Sequence, residues 1–265
     1  MNIITSNQNS IIKEIKSLEK RKYRQELGLF IAEGVRFVEE ALKENANIKE
    51  IIVSETLFKN DMGKDILTLI NSKGINYYTV SEKIFNEISG TQTPQGIMAV
   101  VEIKEFTLED IISGANRIII LESLQDPGNM GTIIRTADAS GMTGIILSKG
   151  CVDIYNQKVL RSTMGSIFHL PIHQTEDLNK TLEALRSKGI RTYAAHLNGT
   201  INYYDMNEYD NIAIIIGNEG NGISNETADS ADILVKIPMH GKAESLNASV
   251  AAGILMYEIV RKVRE

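Results

Sequence analysis

Five short apolar runs limit what the second half of this chain can become. They are RIIILES at 117–123, then 144–148, 191–197, NIAIIIG ending at 217, and 233–237. Each has the length of a strand, and too few polar residues alternate within it to leave one face in water. Between them lie segments of helical periodicity at 129–140, 156–167, 178–189 and 246–263. Strand and helix in alternation predict an α/β domain over 117–265, its mostly parallel sheet covered on both faces.

The first part of the chain repeats the alternation on a smaller scale. An amphipathic helix is expected over 9–22, with Ile11, Ile12, Ile15 and Leu18 at helical spacing. A short strand at Phe30–Ile31, a turn at Gly34 and a helix carrying Val35, Phe37, Val38, Ala41 and Leu42 come next. Strands at 48–55, 75–81 and 95–103 alternate with helices at 65–74 and 81–90, the latter capped by Ser81. Residues 1–105 therefore read as one small α/β domain, 106–116 as a polar linker or short helix, and 117–265 as a second domain.

Composition excludes several classes of function. No apolar stretch approaches the ~20 residues of a membrane helix, and the N-terminus lacks a secretory pattern. One cysteine, Cys151, excludes an internal disulfide and points to a reducing cytoplasm. One Cys and four scattered His give no metal-ligand spacing, so no metal is expected. The net charge of −6 speaks against a nucleic-acid partner. Its distribution does not, because 11–24 holds Lys13, Lys16, Lys20, Arg21, Lys22 and Arg24 against Glu14 and Glu19. Such a segment can contact phosphates, although a solvated helix face has the same composition.

Three segments carry candidate chemistry. In LQDPGNMGTIIRTADASG (124–141), Asn129 reads as the N-cap of a helix closed by Gly141, with Met130, Ile133, Ile134 and Ala137 as its apolar stripe. Arg135 lies off that stripe, either in an i,i+3 pair with Asp138 or beside a ligand cleft at the carboxyl end of the strand. In NIAIIIGNEGNGIS (211–224), Gly217, Gly220 and Gly222 allow close backbone approach and hold the carboxylate of Glu219 in a tight turn. In VKIPMHGKAESLNASVAAG (235–253), Ser245 and Asn247 bracket the start of a helix whose first half is small residues. Neither glycine segment matches a dinucleotide or P-loop fingerprint, so an oxidoreductase built on a nucleotide cofactor is disfavoured.

In order and spacing, N-x-G-x-x-x-R (Asn129 to Arg135), I-x-G-N-E-G-x-G (Ile215 to Gly222) and I-P-M…E-S-L-N-A-S-V-A (Ile237 to Ala251) resemble the three signature motifs of the SpoU, or TrmH-like, branch of the SPOUT superfamily. These are S-adenosyl-L-methionine-dependent RNA 2′-O-ribose methyltransferases. The segments GLFIAEGVRFVEEAL and TPQGIMAVV resemble the family's N-terminal substrate-binding domain, a small fold related to RNA-binding ribosomal proteins.

The resemblance implies a deep trefoil knot from about 191 to 250, which general topology rules would have argued against. It implies a methyl donor held by backbone at Gly217, Ile237 and Leu246. It gives Arg135 the acceptor hydroxyl and makes Asn129, Glu219, Ser245 and Asn247 the remaining polar site residues. Asn129 and Glu219 are assigned to holding Arg135 and the loops, Ser245 and Asn247 to the pocket floor or the RNA. It also implies a homodimer, with Ile254, Leu255, Ile259 and Val263 suited to the contact, and ribosomal RNA as substrate, guanosine favoured. A transfer-RNA methyltransferase of the same fold and a non-catalytic RNA-binding module are the alternatives.

Overall fold

The computed structural model describes residues 2–59 and 61–263. Residues 1, 264 and 265, which end the two sequence-defined domains, lie outside them. In chain order the elements are β1 (Asn2–Ile4), α1 (Ser10–Ser17), α2 (Arg21–Leu27), β2 (Leu29–Glu33), α3 (Val35–Lys43), β3 (Ile48–Ser54), α4 (Asp61–Ser72), β4 (Tyr77–Val80), α5 (Glu82–Ile88) and β5 (Ile97–Glu102). Then come α6 (Leu108–Ile112), β6 (Arg117–Leu121), α7 (Pro127–Ala139), β7 (Gly144–Leu147), α8 (Gln157–Thr163), β8 (Ile172–Gln174), α9 (Leu178–Ser187), β9 (Arg191–Ala195), β10 (Ile201–Asn202), β11 (Ile212–Ile216), α10 (Asn225–Ser230), β12 (Ile233–Lys236) and α11 (Ala248–Val263). Among the described residues no helix is long and apolar enough to cross a membrane.

Two compact units emerge, and their limits differ from the sequence division. The first holds residues 1–104 together with 155–168, and the second holds 105–154 and 169–265. Segment 155–168 goes with the first because Tyr155, Leu160, Ile167 and Phe168 join its apolar core, Phe30 packing 4.8 Å from Tyr155. Segment 106–116 is no free linker. Thr107 and Asp110 form a capping box that starts α6, and Ile111 is buried in the core of the second unit.

The first unit is a five-stranded mixed sheet in the order β1-β4-β3-β5-β2. Its strands bury both faces by strict alternation. Phe30, Ala32, Ile51 and Val53 meet the α3 and α4 side, whereas Leu29, Ile31, Ile52 and Val100 meet α1 and α5. The expected single helix at 9–22 is two helices, because Arg24 turns back and donates to the carbonyls of Leu18 (2.6 Å) and Glu19 (2.8 Å).

The second unit is a seven-stranded sheet in the order β10-β12-β9-β11-β6-β7-β8, with every recorded pair parallel. Its centre is β6 and β11, where Ile118–Leu121 and Ile212–Ile216 are buried throughout. Each such side chain stabilises by about 1.5–3 kcal/mol. The short edge strands β8 and β10 and helix α10 were not anticipated. Three or two residues leave no periodicity to read.

Candidate active site

Parallel pairing brings the carboxyl ends of β6 and β11 side by side, with Leu121 opposite Ile216 and the Glu122 N–H donating to Ile216 O (2.8 Å). The turns that leave these two strands therefore share one end of the sheet, where open α/β folds bind ligands. After β6, Asp126 caps α7, its carboxylate accepting from Asn129 N–H (2.8 Å), and Pro127 takes the first helical position. This corrects the expectation that Asn129 is the cap. Asn129 stands inside the first turn, nine-tenths buried, with its side chain free to bond elsewhere.

After β11 the chain folds back on itself. Asn218 and Gly222 exchange two backbone hydrogen bonds of 2.9 Å each. The Asn218 side chain accepts from Gly220 N–H (2.9 Å) and Asn221 N–H (3.1 Å) and donates to Ser123 O (2.9 Å). Gly217 is required by contact, not by its dihedral angles. A Cβ there would stand 2.1 Å from Gly222 C and 2.2 Å from Ile223 N. The loop's root is locked from the opposite side by Glu122, which accepts from Ser224 N–H (3.1 Å) and the Thr227 hydroxyl (3.0 Å).

Three motif side chains then meet in one chain of bonds. The Glu219 carboxylate accepts from Asp126 N–H (2.9 Å), Gln125 N–H (3.2 Å) and Asn129 Nδ2 (3.1 Å). Asn129 Oδ1 in turn accepts from Asn247 Nδ2 (2.9 Å). Asn247 Oδ1 takes the N–H and hydroxyl of Ser249 and so starts α11. Burial alone would push the Glu219 carboxyl up. The Asn129 amide and the Asp126 and Gln125 N–H groups outweigh burial and hold it below the usual range.

Beside this network lies a cavity of about 370 Å³, formed where 195–198, 216–222, 235–239 and 245–251 converge. Gly217, Glu219, Ile237, Ser245 and Leu246 line it. Sequence reasoning missed His196, Leu197 and Asn198, which line it too. They come directly after β9, and the Asn198 N–H donates to His196 Nδ1 (3.2 Å). Gly199 was the available signal. Its Cβ would stand 2.5 Å from Lys236 N, so two loops cross there in near contact.

Arg135 belongs to another surface. It is exposed, forms no hydrogen bond or ion pair with another described residue, and does not line the cavity. The i,i+3 pair with Asp138 does not form, because Asp138 pairs with His169 (2.8 Å). Asn129 and Glu219 thus hold the loops to each other and do not touch Arg135. Helix α7 carries α11 against it, with Ser140 Oγ 3.6 Å from Met256 Sδ. Leu255 and Ile259, expected at a dimer contact, are fully buried within the chain, while Val250 and Tyr257 are half-exposed on the outer face of α11.

The cavity suits a small organic ligand. Its volume falls in the range of roughly 300–1,000 Å³ usual for such sites, and backbone and apolar groups dominate its wall. An all-parallel sheet, three loops converging at its carboxyl end and a carboxylate locking two of them define a methyltransferase of the SPOUT type. Residues 116–257 match the SpoU rRNA Methylase family, and residues 9–99 match the MRM3-like substrate binding domain. The 23S rRNA (guanosine(2553)-2′-O)-methyltransferase RlmP of Bacillus subtilis is 36% identical over 98% of this chain and 99% of its own. An rRNA methyltransferase from Sinorhizobium meliloti, solved with AdoMet bound, superposes with a TM-score of 0.87 at 32% identity, covering 99% of this chain and 98% of that one. The AdoMet complex of the SpoU methyltransferase AviRb from Streptomyces viridochromogenes gives 0.86 at 27% identity, covering 97% and 99%.

The chain belongs to the SpoU rRNA methylase family. It is an S-adenosylmethionine-dependent RNA 2′-O-ribose methyltransferase.

Proposed function

We propose that the acceptor is a ribose of 23S ribosomal RNA, with guanosine favoured, and that Gly217, Ile237 and Leu246 hold the donor while Arg135 meets the acceptor. The end-to-end match to the Bacillus 23S rRNA enzyme carries the substrate reading. In this reading the unit containing residues 9–99 binds the RNA, the enzyme works in the cytoplasm, and the crossings at Gly199 and Gly217 belong to a trefoil knot.

Bound in the cavity, S-adenosylmethionine supplies an electrophilic methyl group. A ribose hydroxyl must attack in line and lose its proton, which asks for a base or for stabilisation of the developing alkoxide. A guanidinium with pKa above ~12 suits the second task, so Arg135 orients the hydroxyl and stabilises its growing negative charge. Glu219 is a poor base here, since its oxygens already accept three N–H groups. It keeps the donor loop and the start of α7 in register, with Asn129 and Asn247 completing the tie and Ser245 contributing to the pocket floor.

The isolation of Arg135 supports a homodimer. Arg135 on α7 and Val250 and Tyr257 on α11 are all exposed, and a second copy covering these helices would both bury the apolar pair and complete the site. Light scattering at micromolar concentration is expected to give twice the chain mass.

Ribose-methylation maps of ribosomal and transfer RNA, from cells with and without the gene, test the substrate. A single methyl missing from 23S rRNA is the expected result. Loss confined to a transfer RNA overturns it.

A further inference from the structure

The first unit carries two groups of cations, and they differ in how far they are free to meet a partner. In 11–24, Lys16 is paired with Glu87 (3.1 Å), Lys22 with Glu26 (3.7 Å), and Arg24 is buried against carbonyl oxygens. Half of the six cations there are already engaged within the chain.

The other group is scattered in sequence and gathered in space, around the loop 89–96 (SGTQTPQG). This loop is built rigidly. The Glu33 carboxylate accepts from Gly90 N–H (2.9 Å), the Thr91 hydroxyl (3.0 Å) and the Ser89 hydroxyl. Gln95 Oε1 accepts from Val35 N–H (2.8 Å) across Gly34, whose φ of +104° only glycine adopts easily. Helix α8 is tied to the same edge, with Gln157 Nε2 donating to Ile31 O (2.9 Å) and Arg161 Nη1 to Gly90 O (3.2 Å).

Arg36, one residue beyond the Gln95 contact, and Lys158, beside Gln157, are exposed and have no hydrogen-bonding or ionic partner among the described residues. Arg161 is exposed and spends one N–H on Gly90. The carboxylate bonded to this loop, Glu33, is committed to three internal donors. Nothing in the stability of the unit accounts for three cations beside a fixed polar loop that presents Gln92 and Thr93 to solvent, in a chain whose net charge is −6.

We propose that this edge, formed by Arg36, loop 89–96, Lys158 and Arg161, is where the sugar–phosphate backbone of the substrate RNA docks on the first unit. The proposal rests on the RNA-methyltransferase reading and adds the surface. Cations held at fixed spacing neutralise successive phosphates, and amide and hydroxyl side chains between them reach ribose and phosphate oxygens without selecting a base.

The test is filter binding of the full-length protein to an unmodified 23S rRNA transcript between 50 and 200 mM salt. Removing a cation that neutralises one phosphate makes the slope of log affinity against log salt shallower by roughly 0.7–0.9. The double variant Arg36→Gln/Lys158→Gln removes no internal bond, so its fold is kept. Its slope is expected to become shallower by about 1.5, and adding Arg161→Gln brings the change to about 2. Affinity at 100 mM salt is expected to fall on the order of tenfold, with S-adenosylmethionine affinity by calorimetry unchanged. The control variant Lys13→Gln/Lys20→Gln/Arg21→Gln is expected to change the slope less. Wild-type affinity and slope in the Arg36/Lys158 variant, with or without the Arg161 change, overturn the proposal and leave the patch to a protein partner. A wild-type protein that does not bind the transcript overturns the ribosomal-RNA reading along with it.

Discussion

The turns after β6 and β11 start from neighbouring buried strands and end on the same network, yet they work by opposite means. The first turn, 122–129, is specified by side chains: Asp126 caps, Asn129 reaches Glu219, and α7 carries Arg135 onto an open face. The second, 217–222, is specified by the lack of side chains, since its strands of backbone pass at distances no Cβ tolerates. A site built from both can keep a constant donor pocket while the acceptor side varies in chemistry. It also means that the two turns should fail differently when mutated.

The sharpest break is Gly217→Ala. An added methyl 2.1 Å from Gly222 C cannot be absorbed by a flexible side chain, because its neighbours are backbone. Overpacking of this kind costs about 1–3 kcal/mol or more. Calorimetry should show donor affinity reduced by more than about 100-fold, the order of a 3 kcal/mol loss, with a lowered melting temperature. Wild-type donor binding would mean that the loop is not the donor cradle.

Arg135→Ala should do the reverse. The residue touches no other described group, so stability and donor affinity should stay within about twofold, the ordinary range for exposed positions. Methyl transfer in single-turnover assays should fall by about 10²–10³, the usual cost of removing one stabiliser of developing negative charge. Equal losses in donor binding and transfer would place Arg135 in the pocket instead of on the acceptor side.

Glu219→Gln tests the junction between the two turns. An amide oxygen can serve some of the three donors that now share a carboxylate, but its NH₂ opposes the others, and strained or unmade bonds of this kind cost about 1–3 kcal/mol. Donor affinity and transfer should fall together, by roughly tenfold. The pH dependence comes from the lowered pKa of Glu219. A carboxyl that is more acidic in the folded state stabilises it above the ordinary glutamate value of about 4.3 and loses that contribution as pH falls through the folded value. Acid unfolding of the variant should therefore lack part of the wild-type drop below about pH 4, measured by circular dichroism.

The same contrast explains what could be read in the sequence. The central strands were visible because burial on both faces leaves unbroken runs such as IAIII at 212–216, and the motif residues were visible because their spacing is rigid. The Asn129–Glu219–Asn247 tie could not be derived from residues 90 and 118 positions apart, since parallel pairing of β6 with β11 is what joins them. His196–Asn198 escaped notice for a similar reason: their loop has no composition of its own and becomes pocket wall only where Gly199 crosses the chain at Lys236. The placement of 155–168 with the first unit depends on Leu160 and Phe168 meeting Phe37 and its neighbours, contacts between segments over a hundred residues apart that helical periodicity does not encode.

The smallest effect expected separates side chain from backbone within the first turn. Asp126 does two things: its carboxylate caps α7, and its N–H donates to Glu219. Asp126→Ala removes the first and keeps the second. Loss of a cap costs typically about 1 kcal/mol, but Met130, Ile133, Ile134 and Ala137 remain fully buried and hold the helix in place. In a chain of this size the melting temperature should drop by roughly 2–4 °C. Donor affinity should stay within about twofold, because the Glu219 tie survives and 1 kcal/mol spread over α7 reaches the pocket only in part. A tenfold loss of donor affinity would show that the cap itself sets the register of the two turns, and the division into a side-chain half and a backbone half would fail at its weakest point.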